Sequence, residues 1–515
     1  MNYIKRKEIL AVIFFLFIGF VLRIYTFDRK SLWIDEIHTF NDSRDDFNGQ
    51  VKFYKMNPVY LHPPLFYILT HFFYPFEKPE RDLRIIPLIF GTLSIPMIYL
   101  LAKQFSPAIA LPCALSLTFM TYHIGLSQDG RSYSMLMFLG MAGLHFFIKH
   151  LKTSKKRYLL LVALFFSALF YTSYSSIPFI VLSQILWFYR PYNKSERPTL
   201  SSFLSFNALI FFFCLPWVLF LALNYRGQPL IHHYEFKTFL SFWNIFYQVF
   251  SDWLPHSPLL IVTFLVITSS LALSKFPRNK LLLLAIIILP VGGFFLFCKL
   301  FKITHFITSK YFINFLPFLL IFLFLSAYSL EDKLSRARRF LRFKMLILLI
   351  FIASNLTILP LYYRSEKQNF RDLVTFLKTH LHKGDKIIDL ERMSILGLLH
   401  YFGAVPEGRH FTLDSMKVTA KEIKYRKSFL YKNQKFTIYH STNCCDQYVN
   451  NGSRIWIVTS KWGAKKIKKE LPCVLKGYFD ASFSNIDKFP TDASIYLFLW
   501  DPKAPGEKGI DMSID

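Results

Sequence analysis

The chain has 515 residues, of which 53% are apolar, 18% aromatic and 18% charged, and its net charge at neutral pH is +28. Soluble domains carry about 25% charged residues, so this balance is shifted toward lipid and excludes intrinsic disorder, a collagen-like fibre and a small disulfide scaffold. The apolar residues come in long blocks from residue 9 to 361 and then stop, which predicts a membrane module over 1–361 followed by a soluble domain over 362–515.

A helix crosses a bilayer with roughly 20 mostly apolar residues. In chain order the blocks that meet this requirement are 9–27, 84–102, 107–126, 132–149, 158–174, 176–190, 203–223, 258–274, 281–300, 311–329 and 345–361, about eleven transmembrane helices. The first is long for a signal peptide and no A-x-A-like site follows it, so it is expected to be an uncleaved anchor. With the N-terminus in the cytoplasm, the inner loops hold Lys5 to Lys7, Lys103, Lys149 to Arg157, Arg190 to Arg197, Lys275 to Lys280 and Lys333 to Lys344. The opposite loops are nearly balanced in charge. Lys and Arg favour the cytoplasmic side, so the fold class is a polytopic α-helical membrane protein with its N-terminus in and its C-terminus out. Most of the excess charge then reports topology, and nucleic acid is not expected as a partner.

Residues 61–76, LHPPLFYILTHFFYPF, are apolar but short. A span here would reverse every later loop, so they are expected to lie on the outer membrane surface as an interfacial helix. In the tail, NFRDLVTFLKTHL reads as an amphipathic helix, and DKIIDL, RIWIVTS and SIYLFLW as buried strands, which predicts an extracytoplasmic α/β domain. Cys444, Cys445 and Cys473 would form a disulfide or remain thiols, and their spacing decides neither.

The outer loop 28–83 opens with SLWIDEIHTF, where Asp35 and Glu36 stand beside Trp33 and His38. On an extended segment adjacent side chains point opposite ways, so only one carboxylate need face a substrate. A carboxylate near apolar surface can serve as a general base; the plain alternative is a solvated pair of loop acids. The next outer loop, SQDGRSYS over 127–134, packs Asp129, Arg131 and Tyr133 together at membrane level. Charges there are costly and are either paired or functional. Arg131 and Asp129 either neutralise one another or serve a charged substrate, and the Arg fork suits a phosphate. In the loop 224–257, Arg226, the pair His232 and His233, and Glu235 lack a metal-ligand pattern. Lys310 and Tyr311 stand at the outer end of a span, where a cation either snorkels to head groups or meets an anion.

Four segments, SLWIDEIHTF, HPPLFYIL, RDLRIIPLIFGTLSIPMIYLLAKQF and SQDGRSYS, follow one another in an order and spacing that resembles bacterial relatives of the dolichyl-phosphate-mannose–protein mannosyltransferases and the aminoarabinose transferases that modify lipid A. These belong to the glycosyltransferase C superfamily. The resemblance covers roughly residues 9–150 and is weaker at KYFINFLP and at the start of the tail. It implies that Asp35 is the catalytic base with Glu36 in support, and that Asp129 stands where the family has Glu. It also implies a substrate-binding set of Arg131, Tyr133, His62, Arg84, Lys310 and Tyr311, with Lys310 where relatives often have Arg.

The function expected is transfer of a sugar from a polyprenyl-phosphate donor to an envelope acceptor (a glycolipid, polysaccharide or protein) on the outer face of the cell membrane, with inversion. No cofactor is required by any spacing; His38 or His62 near the acid pair would be the residues to join a divalent cation. Two other classes stay open: a transporter or flippase for lipid-linked sugars, for which Pro290 and Gly292-Gly293 would mark a broken helix, and a scaffold for an envelope complex.

Overall fold

The computed structural model describes residues 2–56, 62–188, 200–225, 242–274, 278–300, 308–335, 342–390, 394–403, 427–430, 437–440, 452, 454–470, 473–481, 494–504 and 508–512. Packing divides the chain into two compact units. One comprises Met1–Tyr25, Phe47–Leu69 and Arg84–Pro360; the other comprises Thr26–Asp46, Thr70–Leu83 and Leu361–Asp515. The tail therefore packs with two pieces of the first long loop, a partition that no run of apolar residues announces.

The helices are α1 (Asn2–Ile24), α2 (Ile34–Asp42), α3 (Phe47–Met56), α4 (Leu65–His71), α5 (Pro79–Asp82), α6 (Ile85–Phe105), α7 (Pro107–Phe119), α8 (Thr121–Ser127), α9 (Tyr133–Thr153), α10 (Lys156–Thr172), α11 (Ile177–Ser183), α12 (Leu200–Asn224), α13 (Phe242–Trp253), α14 (Ser257–Ala272), α15 (Arg278–Leu300), α16 (Leu316–Ser335), α17 (Phe343–Arg364), α18 (Phe370–His380), α19 (Ser394–Tyr401) and α20 (Lys461–Glu470). Among the described residues, six helices are long and apolar enough to cross a membrane, or up to eight if each of two bent pairs is one span. Large apolar side chains stand exposed along α1 and α12, among them Phe14, Phe17, Leu204, Phe211, Phe212 and Leu223. In water such a surface would drive association; in lipid it is at home. The chain is a multi-pass membrane protein.

The core of the membrane unit runs through α6, α7, α9 and α16, with Ile98, Leu117, Leu144, Phe147 and Phe318 fully or almost fully buried. Helix α6 and helix α8 touch at Gly91, where an added Cβ would lie 2.0 Å from Ser127 Oγ. Only glycine permits that approach.

One apolar block does not form a continuous helix. The 107–126 segment breaks at Met120 into α7 and α8, which meet at 62°. A break orphans the carbonyls of the preceding turn, and in a dry interior each needs a donor. The buried Arg23 guanidinium supplies them, donating to Leu117 O at 2.9 Å and Thr118 O at 3.3 Å. Asn355 Oδ1 accepts the Thr121 N–H at 2.9 Å on the other side of the break.

The second unit is built on a six-stranded mixed sheet of order β2-β3-β1-β4-β6-β5, with β1 (Lys386–Asp389), β2 (Lys427–Leu430), β3 (Thr437–His440), β4 (Ile455–Thr459), β5 (Val474–Phe479) and β6 (Ile495–Trp500). Strand β1 lies parallel to both β3 and β4, whereas β6 is antiparallel to β4 and β5. Side chains alternate between faces as strand geometry requires. Ile387, Trp456, Val458, Leu497 and Leu499 pack against α18, α19 and α2; Ile388, Ile455, Ile457 and Phe498 pack against Ala464 and Ile467 of α20.

Two local expectations are corrected. The segment carrying Asp35 and Glu36 is helical rather than extended, because Glu36 occupies the third helical position and its Oε2 accepts the Trp33 N–H at 3.4 Å, half of a capping box. Among the described residues of that segment, 62–76, Leu65–His71 alone is helical, preceded by Pro63-Pro64 and followed by a turn that ends at Pro75. Cys444, Cys445, Arg226, His232, His233 and Glu235 lie outside the described residues.

Candidate functional site

The second unit holds the acid pair. Backbone N–H groups at a helix N-terminus lack intrahelical partners; here the tail supplies one for the first residue of α2 and also binds two residues that lead into it. Ile34 N–H donates to Gln368 Oε1 at 2.9 Å, Ser31 N–H to Glu366 Oε2 at 2.9 Å, and Leu32 N–H to the Tyr401 hydroxyl at 2.7 Å. Tyr401 in turn donates to Glu80 Oε1 at 2.9 Å. Burial and the Glu80 charge hold the Tyr401 phenol above its ordinary range, so it stays a donor. Leu32, Ile34 and Ile37 anchor α2 in the unit's core.

This frame separates the two carboxylates. Glu36 is fully buried and turned to the helix start, whereas Asp35 is partly exposed on the same first turn. Successive helical residues point about 100° apart, so only Asp35 is presented outward. Both acids sit where the helix dipole favours negative charge.

The membrane unit holds the other acid and the cations. The loop 127–134 is tied at both ends. Gln128 Nε2 donates to Arg23 O at 2.8 Å and Tyr25 O at 2.6 Å, and Ser134 Oγ donates to Pro87 O at 2.9 Å. Arg131 N–H donates to Asp129 O at 2.6 Å in a tight turn. Asp129 is fully buried, and its Oδ2 lies 3.9 Å from the Lys310 ammonium, which is 26% exposed. A buried carboxylate is tolerable only when compensated. Lys310 supplies part of that compensation while its side chain stays partly exposed. The same ammonium lies 5.4 Å from the Tyr133 ring centroid, a cation–π contact.

Lys310 and Tyr311 belong to a single 3₁₀ turn, Ser309–Phe315, that precedes α16. Its first residue brings in groups that sequence reasoning missed. Ser309 Oγ donates to Asp252 Oδ2 at 2.5 Å and is 2.7 Å from the Tyr122 hydroxyl. Asp252 is the one acid in a long aromatic stretch, FLSFWNIFYQVFSDWL, which reads as interfacial filler until the fold brings it to Ser309. Asp129, Tyr133 and Lys310 therefore lie together, joined by Tyr122, Asp252 and Ser309. Arg131 and Tyr311 are half-buried. Arg84 is buried at the start of α6. His62 is exposed, with its carbonyl accepting the Tyr54 hydroxyl and its ring 6.2 Å from that of Tyr67. Among the described residues no three His, Cys, Asp or Glu side chains gather as a metal site.

Residues 61–220 match the profile of the dolichyl-phosphate-mannose-protein mannosyltransferase family. In fold, the chain is similar to ArnT from Cupriavidus metallidurans in its apo state, with a TM-score of 0.53 and 12% identity over 95% of this chain and 97% of that one. The same protein bound to undecaprenyl phosphate gives a TM-score of 0.52 and 14% identity over the same shares of each chain. No curated protein is similar enough to count as a match. Both findings agree with the resemblance to the glycosyltransferase C superfamily.

Proposed function

We propose that the protein is a membrane glycosyltransferase that moves a sugar from a polyprenyl-phosphate donor to an envelope acceptor on the outer face of the membrane. The observation that carries this reading is the buried Asp129 carboxylate beside the partly exposed Lys310 ammonium, on a chain whose residues 61–220 match a family of lipid-phosphate-sugar transferases and whose fold is that of a protein solved with undecaprenyl phosphate bound. The reading takes the eleven-span topology with the N-terminus in, the module 1–361 and an extracytoplasmic domain from 362.

In this mechanism Asp35 accepts the proton of the acceptor hydroxyl as that oxygen attacks the anomeric carbon. The bond from the anomeric carbon to the phosphate oxygen breaks, and its electron pair leaves with polyprenyl phosphate. Such a leaving group is a weak base, so it needs cations rather than an acid, and Lys310 with Arg131 supplies them. In-line displacement inverts the anomeric centre. Glu36 holds the start of α2 and thereby the direction of Asp35, a supporting rather than a chemical part. Arg84, His62, Tyr133 and Tyr311 complete the proposed substrate-binding set.

The test is transfer from a radiolabelled polyprenyl-phosphate sugar by the purified protein in detergent. Asp35→Asn keeps size and charge-free hydrogen bonding but cannot take the proton, and it is expected to lose transfer by at least about a hundredfold while folding and inserting normally. Near-normal turnover in that variant would end the assignment. A transporter would move the donor without releasing sugar from it, so the same assay separates the two classes.

A further inference from the structure

Within the second unit lies a pocket of about 220 Å³ lined by Phe40, Arg44, Tyr74, Pro75, His400 and Gly403. None of these residues takes part in the chemistry above. The volume is below the roughly 300–1,000 Å³ of drug-sized sites, so it suits one small ring rather than a chain. Its walls are of three kinds. Phe40 meets His400 edge-on at 4.8 Å between centroids, and Tyr74 stacks on His71 at 5.6 Å, which fixes two aromatic faces. Arg44 lies 5.8 Å from the Phe40 ring centroid and supplies a permanent positive charge.

The third wall is polar. Among the described residues the Nδ1 of His400 is buried with no hydrogen-bond partner. Buried polar atoms are almost always paired, and the exceptions call for an explanation. Burial and the neighbouring Arg44 charge hold this imidazole at a pKa of about 4. At neutral pH it is uncharged and can both donate and accept, the behaviour needed to bond a hydroxyl.

We propose that this pocket binds a single sugar unit carrying an anionic substituent, phosphate or carboxylate. Arg44 holds the anion in its fork, Phe40 and Tyr74 pack the apolar face of the ring, and His400 hydrogen-bonds a hydroxyl. The inference rests on the glycosyl-transfer reading for its choice of a sugar, and it identifies an anionic saccharide as part of what the protein recognises.

Binding is read by ligand-observed NMR with the full-length protein in nanodiscs, using glucose 1-phosphate, glucuronate, glucose and inorganic phosphate as separate probes. Glucose 1-phosphate or glucuronate is expected to bind more tightly than both glucose and inorganic phosphate, and which of the two wins identifies the anion. Arg44→Gln is expected to weaken that binding about tenfold or more, Arg44→Lys less, and Tyr74→Ala to weaken it while thermal unfolding shows the variants folded. Absence of binding by either anionic sugar, equal binding of inorganic phosphate, or undiminished binding in Arg44→Gln and Tyr74→Ala would overturn the proposal. Asp35→Asn is expected to keep this binding, so loss of the pocket with intact transfer, and loss of transfer with an intact pocket, are separate results.

Discussion

At the scale of single residues, two neighbouring acids are used very differently. Asp35 and Glu36 look equivalent in the string WIDEIH, yet one faces outward and the other closes the start of a helix. A reading of the segment as extended also separates them, but for the wrong reason: the cap makes a helix, and helical spacing does the separating. Lys310 invites a matching test. The contact proposed for it with a phosphate is that of a point charge, worth about 1.5–3 kcal/mol where a hydrogen bond is made to a charged group. Lys310→Ala is expected to lower kcat/KM about tenfold or more, and Lys310→Arg to retain most of it, in the radiolabelled transfer assay. Equal activity of the alanine variant would remove the ammonium from the mechanism. Asp252 shows what sequence reasoning could not reach: nothing in its local context marks it, and only the fold brings it to Ser309.

His400 offers a pH test. Its folded pKa of about 4 lies below the ordinary 6.5 because burial and Arg44 disfavour the charged ring. Between those values the unfolded chain binds a proton that the folded chain does not. His400 therefore costs no stability above pH of about 6.5 and lowers it progressively as pH falls toward about 4. Thermal unfolding at pH of about 7 and about 5 is expected to show a drop in midpoint that shrinks in His400→Phe; an equal drop in that variant would assign the effect elsewhere.

At the scale of elements, most helices and the three strands DKIIDL, RIWIVTS and SIYLFLW are legible because burial imposes a period on the sequence. The break at Met120 is not. Its local string, TFMTYH, has neither glycine nor proline, and Pro112 lies two turns earlier inside α7. What makes the break tolerable is distant in sequence: the Arg23 guanidinium that takes up the carbonyls of Leu117 and Thr118. Arg23→Met fills the same space and removes both donors. Each orphaned carbonyl costs about 1–3 kcal/mol, so the variant is expected to unfold at markedly lower temperature in detergent. An unchanged midpoint would show that the break is held by Asn355 and the surrounding packing alone.

At the scale of the whole molecule, the apolar blocks and the asymmetry of Lys and Arg are strong signals because the bilayer is a demanding solvent. The partition of loop 28–83 is a weak one. Thr26–Asp46 and Thr70–Leu83 join the tail's core through Leu32, Ile37, Phe76 and Leu83, whereas Phe47–Leu69 belongs with the spans. Short apolar segments carry too little pattern to say which of two cores they will enter. The role proposed for Asp35 comes from the resemblance, because no composition or spacing supplies it.

The proposed transfer requires Asp35 and Arg131 to work on the same, outer side of the membrane. Single cysteines placed at these two positions in an otherwise cysteine-free chain, with intact cells treated with a membrane-impermeant thiol reagent, test that requirement. Modification of both positions without permeabilisation is the result predicted; modification of one from outside and of the other only after the membrane is opened would contradict it.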